Sequence, residues 1–205
     1  VLIGHLVPRE MLDPWLIRRA LEDPKLSLEH RLWLIHQTLE IPADLREDVW
    51  RLLMQALREE EGGEMTLALF GRWGFAGVRR LVEERWDEPE TLRRVARYLR
   101  RQEELGKLRA LTGNPGGPSL PKPSAEDLPW IEATLARFVP GTRDPRLEPL
   151  VELLGLWELG QHKRAVFQTR IPQLLLRHLT DPVECRAVAE AVGSLFSRGV
   201  VPRCR

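Results

Sequence analysis

Residues 171–195 carry the pattern that most constrains the fold of this chain. Two apolar stretches with helical periodicity are separated there by an Asp181-Pro182 turn, and Arg186 lies early in the second stretch. A helix pair of this kind cannot bury its apolar faces alone and needs neighbouring helices to cover them. The segment therefore predicts a scaffold of stacked antiparallel helix pairs.

Composition and periodicity extend this prediction to the whole chain. Among 205 residues, leucine occurs 36 times, while valine, isoleucine and threonine together occur 28 times, a ratio that favours helix over strand. No stretch shows the alternation of a half-buried strand, and three stripes show helical spacing. These stripes are Leu92, Val95, Ala96 and Leu99; Leu45, Val49, Leu52, Leu53 and Ala56; and Val188, Val192, Leu195 and Phe196. The sequence predicts an all-α protein.

Proline and glycine divide the predicted helices. Asp13 and Asp23 directly precede Pro14 and Pro24, so each aspartate is predicted to cap the N-terminus of a helix. The run rich in proline and glycine after residue 112 is the strongest helix breaker in the chain. The predicted organisation is N-terminal helical repeats in 1–112, a linker in 113–125 and C-terminal helix pairs in 126–205, together forming one continuous solenoid.

Turns that contain Asp-Pro or Asp-Glu-Pro recur before amphipathic helices, at Asp23, Asp87, Asp144 and Asp181. Residues 171–195 resemble the HEAT repeat family in the positions Pro172, Asp181, Arg186, Ala187, Ala189, Ala191 and Gly193. Residues 78–99 resemble it less closely, through Asp87, Arg93 and Ala96. The resemblance implies a right-handed α-solenoid in which Asp181 and Arg186 form a structural ladder between repeats. The alternatives are an irregular helical bundle and, from Leu159-Gly160 and Ala165, a tetratricopeptide repeat.

The charge of the chain is nearly balanced, with 31 basic and 30 acidic residues, which argues against a polyanion mimic or a general nucleic-acid binder. Residues 78–109 nevertheless carry 10 basic and 7 acidic side chains, and residues 161–205 carry 8 and 3. The predicted binding residues are Arg79, Arg80, Arg93, Arg97, Arg100 and Arg101, of which Arg93, Arg97, Arg100 and Arg101 are predicted to share the helix face opposite the leucine stripe. Guanidinium groups make bidentate contacts to phosphates. The alternative is a solvated face neutralised by Glu83, Glu84 and Glu90.

Seven tryptophans are spread at roughly one per predicted helix. They are predicted to fill the spaces between stacked helices, with Trp157 in an inner helix that covers residues 150–157. The alternative is a surface platform on which a base or a peptide side chain stacks.

The sequence contains no pattern that indicates catalysis, a cofactor or a metal. The two cysteines are too far apart for a CxxC motif, and His30 and His36 do not have the spacing of a zinc pair on one helix. Arginine outnumbers lysine by 27 to 4, and asparagine occurs once, a bias typical of thermophiles. No apolar run is long enough to span a membrane, so a cytoplasmic protein is predicted.

These observations favour a non-enzymatic scaffold that holds a protein partner on the concave face of a solenoid. The alternative is nucleic-acid binding, because some HEAT-like proteins of this size are DNA glycosylases that act on alkylated bases. Asp48 near Trp50 and Asp87 beside Trp86 are candidate pairs for the aspartate and tryptophan of such an enzyme, although Trp86-Asp87 fits a turn between repeats better. A third possibility is self-association through a leucine-rich terminal helix. The identity of the partner and the oligomeric state stay open.

Overall fold

The computed structural model describes residues 9–111, 118–154, 163–178 and 188–189. All regular structure in these ranges is helical and no strand occurs in them, which confirms the all-α prediction. The helices are α1 (Arg9–Glu22), α2 (Leu28–His36), α3 (Arg46–Glu59), α4 (Gly63–Gly71), α5 (Gly74–Glu84), α6 (Pro89–Leu111), a 3₁₀ turn (Ala125–Asp127), α7 (Leu128–Leu135), α8 (Leu147–Leu153), α9 (Lys163–Val166) and α10 (Ile171–His178).

The chain divides into two compact units. The first contains residues 9–73 and, from a later part of the chain, residues 98–111 and 118–120. The second contains residues 74–97 together with the described residues that follow residue 120. Each unit is therefore built from separate pieces of sequence, and α6 contributes its first part to the second unit and its remainder to the first.

The core of the first unit is formed by α1 to α4, which pack in pairs that include α1 with α2, α2 with α4 and α3 with α4. The predicted stripe on α3 is buried: Val49, Leu53 and Ala56 are each at most 1% exposed. Trp50 is 1% exposed and packs against Phe70 and Trp73, with ring centroids 6.2 and 5.5 Å away. This tryptophan fills space between helices, as predicted.

The start of α1 differs from the prediction for Asp13. The helix begins at Arg9, so Asp13 lies inside it and does not cap it. Its carboxylate instead accepts hydrogen bonds from the backbone N–H groups of Leu39 at 2.7 Å and Glu40 at 3.3 Å, just after α2. Asp23 is not a helix cap either: its carboxylate accepts from the N–H of Lys25, and Ser27 caps α2. An aspartate before proline satisfies nearby amides in more than one geometry, which the sequence does not distinguish.

The second unit contains α5, the first part of α6, and α7 to α10, with α7 packed against α10. The predicted stripe of α6 is confirmed, since Leu92, Val95 and Ala96 are at most 2% exposed. The 3₁₀ turn that leads into α7 is capped by Ser124, whose backbone N–H donates to the Asp127 carboxylate at 2.8 Å. Asp181, Arg186 and Trp157, which were given structural roles, lie outside the described residues, as do the predicted stripe positions Val192, Leu195 and Phe196.

Candidate interaction site

The predicted arginine surface is divided between the two units. Arg79, Arg80, Arg93 and Arg97 belong to the second unit, whereas Arg100 and Arg101 belong to the first.

In the second unit, neighbouring glutamates neutralise two of the predicted arginines. Arg80 pairs with Glu84, one helical turn later, with an N–O distance of 2.6 Å. Arg93 pairs with Glu90 and also donates to the carbonyl of Pro145 at 3.4 Å. Arg97 is exposed and forms no ion pair with any residue in the described ranges. The i,i+3 and i,i+4 spacing of these pairs follows from the helical repeat, which brings such side chains together.

Arg79 has an aromatic partner instead of a carboxylate. Its guanidinium carbon lies 5.3 Å from the ring centroid of Trp130. The Trp130 indole N–H donates to Glu83 at 3.0 Å, and Phe75 meets the same ring edge-on, with centroids 6.1 Å apart. Trp130 is thus half-buried within the surface of α5 and α7 and does not stand alone as a stacking platform.

In the first unit, Arg100 pairs with Glu104 at 3.2 Å, and Arg101 is exposed without an ion pair to any described residue. Along α6 itself, Arg94, Arg97, Arg101 and Arg109 are exposed, while Arg93 and Arg100 are intermediate. The prediction placed Arg93, Arg97, Arg100 and Arg101 together on the face away from the leucine stripe, with Arg94 at its margin. Arg94 is thus exposed, whereas Arg93 and Arg100 are partly buried and pair with Glu90 and Glu104.

A second basic cluster, which sequence reasoning missed, surrounds Trp86 in the second unit. The guanidinium carbon of Arg137 lies 3.3 Å from the Trp86 ring centroid, and that of Arg146 lies 4.8 Å from it. Phe138 packs against the same ring with centroids 5.7 Å apart, and the edge of buried His178 contacts Phe138 at 6.5 Å. We call Trp86, Arg137, Phe138, Asp144 and Arg146 the Trp86 cluster.

Asp144 and Arg146 hold each other in a fixed geometry. Two guanidinium nitrogens of Arg146 donate to the two carboxylate oxygens of Asp144, at 2.9 and 2.7 Å, and the backbone N–H of Arg146 donates at 3.0 Å. The hydrogen bonds from the Arg146 side chain lower the pKa of Asp144 below its ordinary value despite partial burial. Asp144 is therefore an anion that occupies the hydrogen-bonding edge of Arg146.

The loop between α7 and α8 positions this cluster. Its tip reverses direction at Pro140-Gly141, where Gly141 has φ of +80°, and the hydroxyl of Thr142 donates to the carbonyl of Val139 at 2.7 Å. Arg137 precedes the turn and Arg146 follows it, and the guanidinium groups of both contact the Trp86 ring. In the sequence, Arg137 precedes the Pro140-Gly141 turn and Arg146 follows it. Nothing in the sequence indicates that both arginines contact Trp86.

The described ranges lack two further features, a cluster of metal ligands and a membrane-spanning helix. No three histidine, cysteine, aspartate or glutamate side chains come together there in a way that would hold a metal ion. None of the helices described combines the length and apolar character needed to cross a membrane. Comparisons of the chain with protein-family models, curated proteins and solved structures found no match.

Proposed function

We propose that this chain is a non-enzymatic helical binding protein that holds a protein partner. The observation that carries this proposal is the pairing of the predicted arginines with glutamates: Arg80 with Glu84, Arg93 with Glu90 and Arg100 with Glu104. A surface for nucleic acid needs several guanidinium groups free to replace counterions on phosphates. A surface with mixed, mutually compensating charges is suited to other proteins.

Large apolar side chains at the surface of the first unit support the same proposal. Trp15 on α1 is 60% exposed and Trp33 on α2 is 49% exposed, contrary to the prediction that the tryptophans fill space between helices. On the last turns of α6, Leu108 and Leu111 are 59% and 83% exposed. Tryptophan is enriched among residues that dominate protein–protein binding energy. A stacked HEAT-like arrangement, right-handed and solenoidal, is the architecture we propose for presenting these side chains, and its support remains the resemblance of residues 171–195.

Nucleic-acid binding is the competing proposal, supported by the exposed and unpaired Arg97 and Arg101. A glycosylase activity is not supported by either candidate pair, Asp48 with Trp50 or Asp87 with Trp86. Trp50 is 1% exposed, so no base can stack on it, and Asp48 pairs with Arg51 at 2.6 Å. The Trp86 ring beside Asp87 is covered by the guanidinium of Arg137.

A titration with a designed variant separates the two proposals. Fluorescence anisotropy of labelled DNA duplex, single-stranded DNA and single-stranded RNA is measured at about 50 and 200 mM salt. The wild-type chain should show no salt-sensitive binding at about 10 µM protein. The triple variant Glu84→Gln, Glu90→Gln, Glu104→Gln removes the three negative charges that pair with these arginines and should gain such binding. Salt-sensitive binding by the wild type would overturn the proposal in favour of nucleic acid.

The protein partner is tested with the exposed tryptophans. Affinity capture from the host with the wild-type chain is compared with the double variant Trp15→Ala, Trp33→Ala, whose circular dichroism and thermal midpoint are checked first. A partner retained by the wild type and lost from the double variant supports the proposal. Concentration-dependent light scattering identifies the case in which the retained partner is a second copy of the chain.

A further inference from the structure

The Trp86 cluster contains one guanidinium group whose hydrogen-bonding capacity is unused. Arg137 lies against the face of the Trp86 ring, is exposed, and forms no ion pair with any residue that the structure describes. A guanidinium group that stacks on a ring uses its flat face, and its in-plane N–H donors then point past the edge of the ring. Those donors form a planar fork that matches the two oxygens of a carboxylate.

The other charges of the cluster are already balanced. Asp144 occupies two nitrogens of Arg146, and Glu90 pairs with Arg93, whose guanidinium also contacts the carbonyl of Pro145 in the same loop. Among the described residues of the cluster, the Arg137 guanidinium is therefore the cation without a carboxylate partner. A polyphosphate backbone gains affinity from several unpaired cationic groups, whereas one carboxylate side chain needs only the two donors of Arg137.

An exposed apolar side chain follows Arg137 closely in the sequence. Val139, two residues after Arg137, is 62% exposed, while Phe138 between them is 5% exposed and anchors the loop on Trp86. The stack also fixes the guanidinium plane before binding, which reduces the conformational entropy lost when a ligand is captured. An acidic residue followed by an apolar one would match Arg137 and Val139 in turn.

We propose that the Trp86 cluster is a docking site for an acidic segment of a protein partner, in which Arg137 receives an aspartate or glutamate carboxylate and Val139 contacts an adjacent apolar side chain. This inference deepens the proposed function and rests on it, because it assigns a chemistry and a place to part of the partner surface. The Pro-Gly turn of the loop acts as the support that holds the fork over the ring.

The test uses a fluorescein-labelled peptide, Gly-Asp-Leu-Glu-Val-Glu-Leu-Gly, and the full chain at about 50 mM salt. Arg137→Lys keeps the charge but loses the planar fork, so it should weaken binding about tenfold. Arg97→Lys is the matched control, because Arg97 is also exposed and unpaired but contacts no ring; its affinity should stay within about twofold of the wild type. Val139→Glu places a competing carboxylate beside the fork and should also weaken binding.

The outcomes are distinct. Equal weakening by Arg137→Lys and Arg97→Lys, or none by Arg137→Lys, would mean that the peptide responds only to general charge, and the docking site would be rejected. Binding of a labelled single-stranded oligonucleotide that also depends on Arg137 would assign the cluster to nucleic acid and reject it as well. A third outcome is that capture of a host partner depends on Trp15 and Trp33 while peptide affinity is unchanged by Arg137→Lys. The proposed function would then stand, and this inference alone would be rejected.

Discussion

At the scale of single residues, Gly62 is the position where the backbone least tolerates a side chain. It precedes α4 with φ of +79°, and a Cβ added there would lie 2.4 Å from Cδ1 of Leu32 and 2.5 Å from Oγ1 of Thr66. Gly62→Ala therefore incurs both the left-handed backbone cost, about 1–2 kcal/mol, and an overpacking cost of about 1–3 kcal/mol. We expect its free energy of unfolding, measured in urea, to fall by the sum of the two.

Gly74 provides the control for this substitution. Its φ is +58°, but a Cβ would meet nothing within 4 Å. Gly74→Ala should therefore show only the backbone cost of about 1–2 kcal/mol. Equal losses in the two variants would show that the Leu32 and Thr66 contacts relax freely and that the overpacking cost is absent.

His36 gives the first unit a defined response to pH. Partial burial lowers the pKa of His36 below its ordinary value of 6.5, and the nearby positive charge of Arg72 lowers it further. Since the unfolded chain takes up this proton more readily, stability is full above about pH 6.5 and declines as the pH falls from there through the folded pKa.

An NMR titration of the His36 imidazole in the folded chain tests this prediction. The midpoint should lie below 6.5 in the wild type, and Arg72→Gln should raise it without reaching that value, because burial is the larger cause. A wild-type midpoint at or above 6.5 would show that the imidazole is fully hydrated.

At the scale of helices, the end of α2 is held by two side chains distant in the sequence, Arg72 from the turn after α4 and Asp13 from α1. At the last turn of α2, Arg72 donates to the carbonyls of Ile35 at 3.3 Å and His36 at 3.0 Å, and the Ile35 carbonyl also accepts from the N–H and the hydroxyl of Thr38. Asp13 of α1 accepts from the amides of Leu39 and Glu40. We expect Asp13→Ala, which removes the acceptor of two part-buried amide hydrogen bonds, to lower the free energy of unfolding by about 1–3 kcal/mol.

Asp44→Ala is the matched control, because the Asp44 carboxylate forms an exposed ion pair with Arg18 at 2.8 Å. Exposed pairs of this kind contribute at most about 1 kcal/mol, so the loss should be smaller than for Asp13→Ala. Asp13→Asn keeps an acceptor and should fall between them. If Asp13→Ala proved as mild as the control, the amides of Leu39 and Glu40 would have to be satisfied by water.

These helices also show how far the sequence predicts structure. The buried stripes on α3 and α6 follow from local periodicity, so residues such as Val49 and Leu92 were identified correctly. The partners of Asp13 and Arg137 depend on contacts between segments distant in the sequence. The loop that contains Arg137 reaches Trp86 across 51 positions, and no local pattern encodes that distance. The pairing of Arg80 and Arg93 with glutamates was an alternative that the spacing allowed, and the structure contains it.

At the scale of the whole molecule, each compact unit combines segments that are separated in the sequence. The sequence predicts a linker in 113–125 between the regions 1–112 and 126–205, and the chain does pass from one compact unit to the other after residue 120. It also passes between them after residues 73 and 97, inside the region 1–112. Proline and glycine mark breaks in helices, but a crossing within a continuous helix such as α6 leaves no mark in composition.

The fragment of residues 126–205 should therefore fail to fold alone. It lacks α5 and the first part of α6, so Trp130 loses Phe75 and Phe138 loses Trp86, whose ring centroids lie 6.1 and 5.7 Å away in the intact chain. We expect poor dispersion in its ¹H–¹⁵N NMR spectrum and binding of a hydrophobic dye. Mixing it with the fragment of residues 1–125 should restore dispersed signals, because the second fragment supplies residues 74–97. A dispersed spectrum for residues 126–205 alone would show that the predicted linker separates two independent domains. Residues 74–97 would then be dispensable for folding of the C-terminal domain.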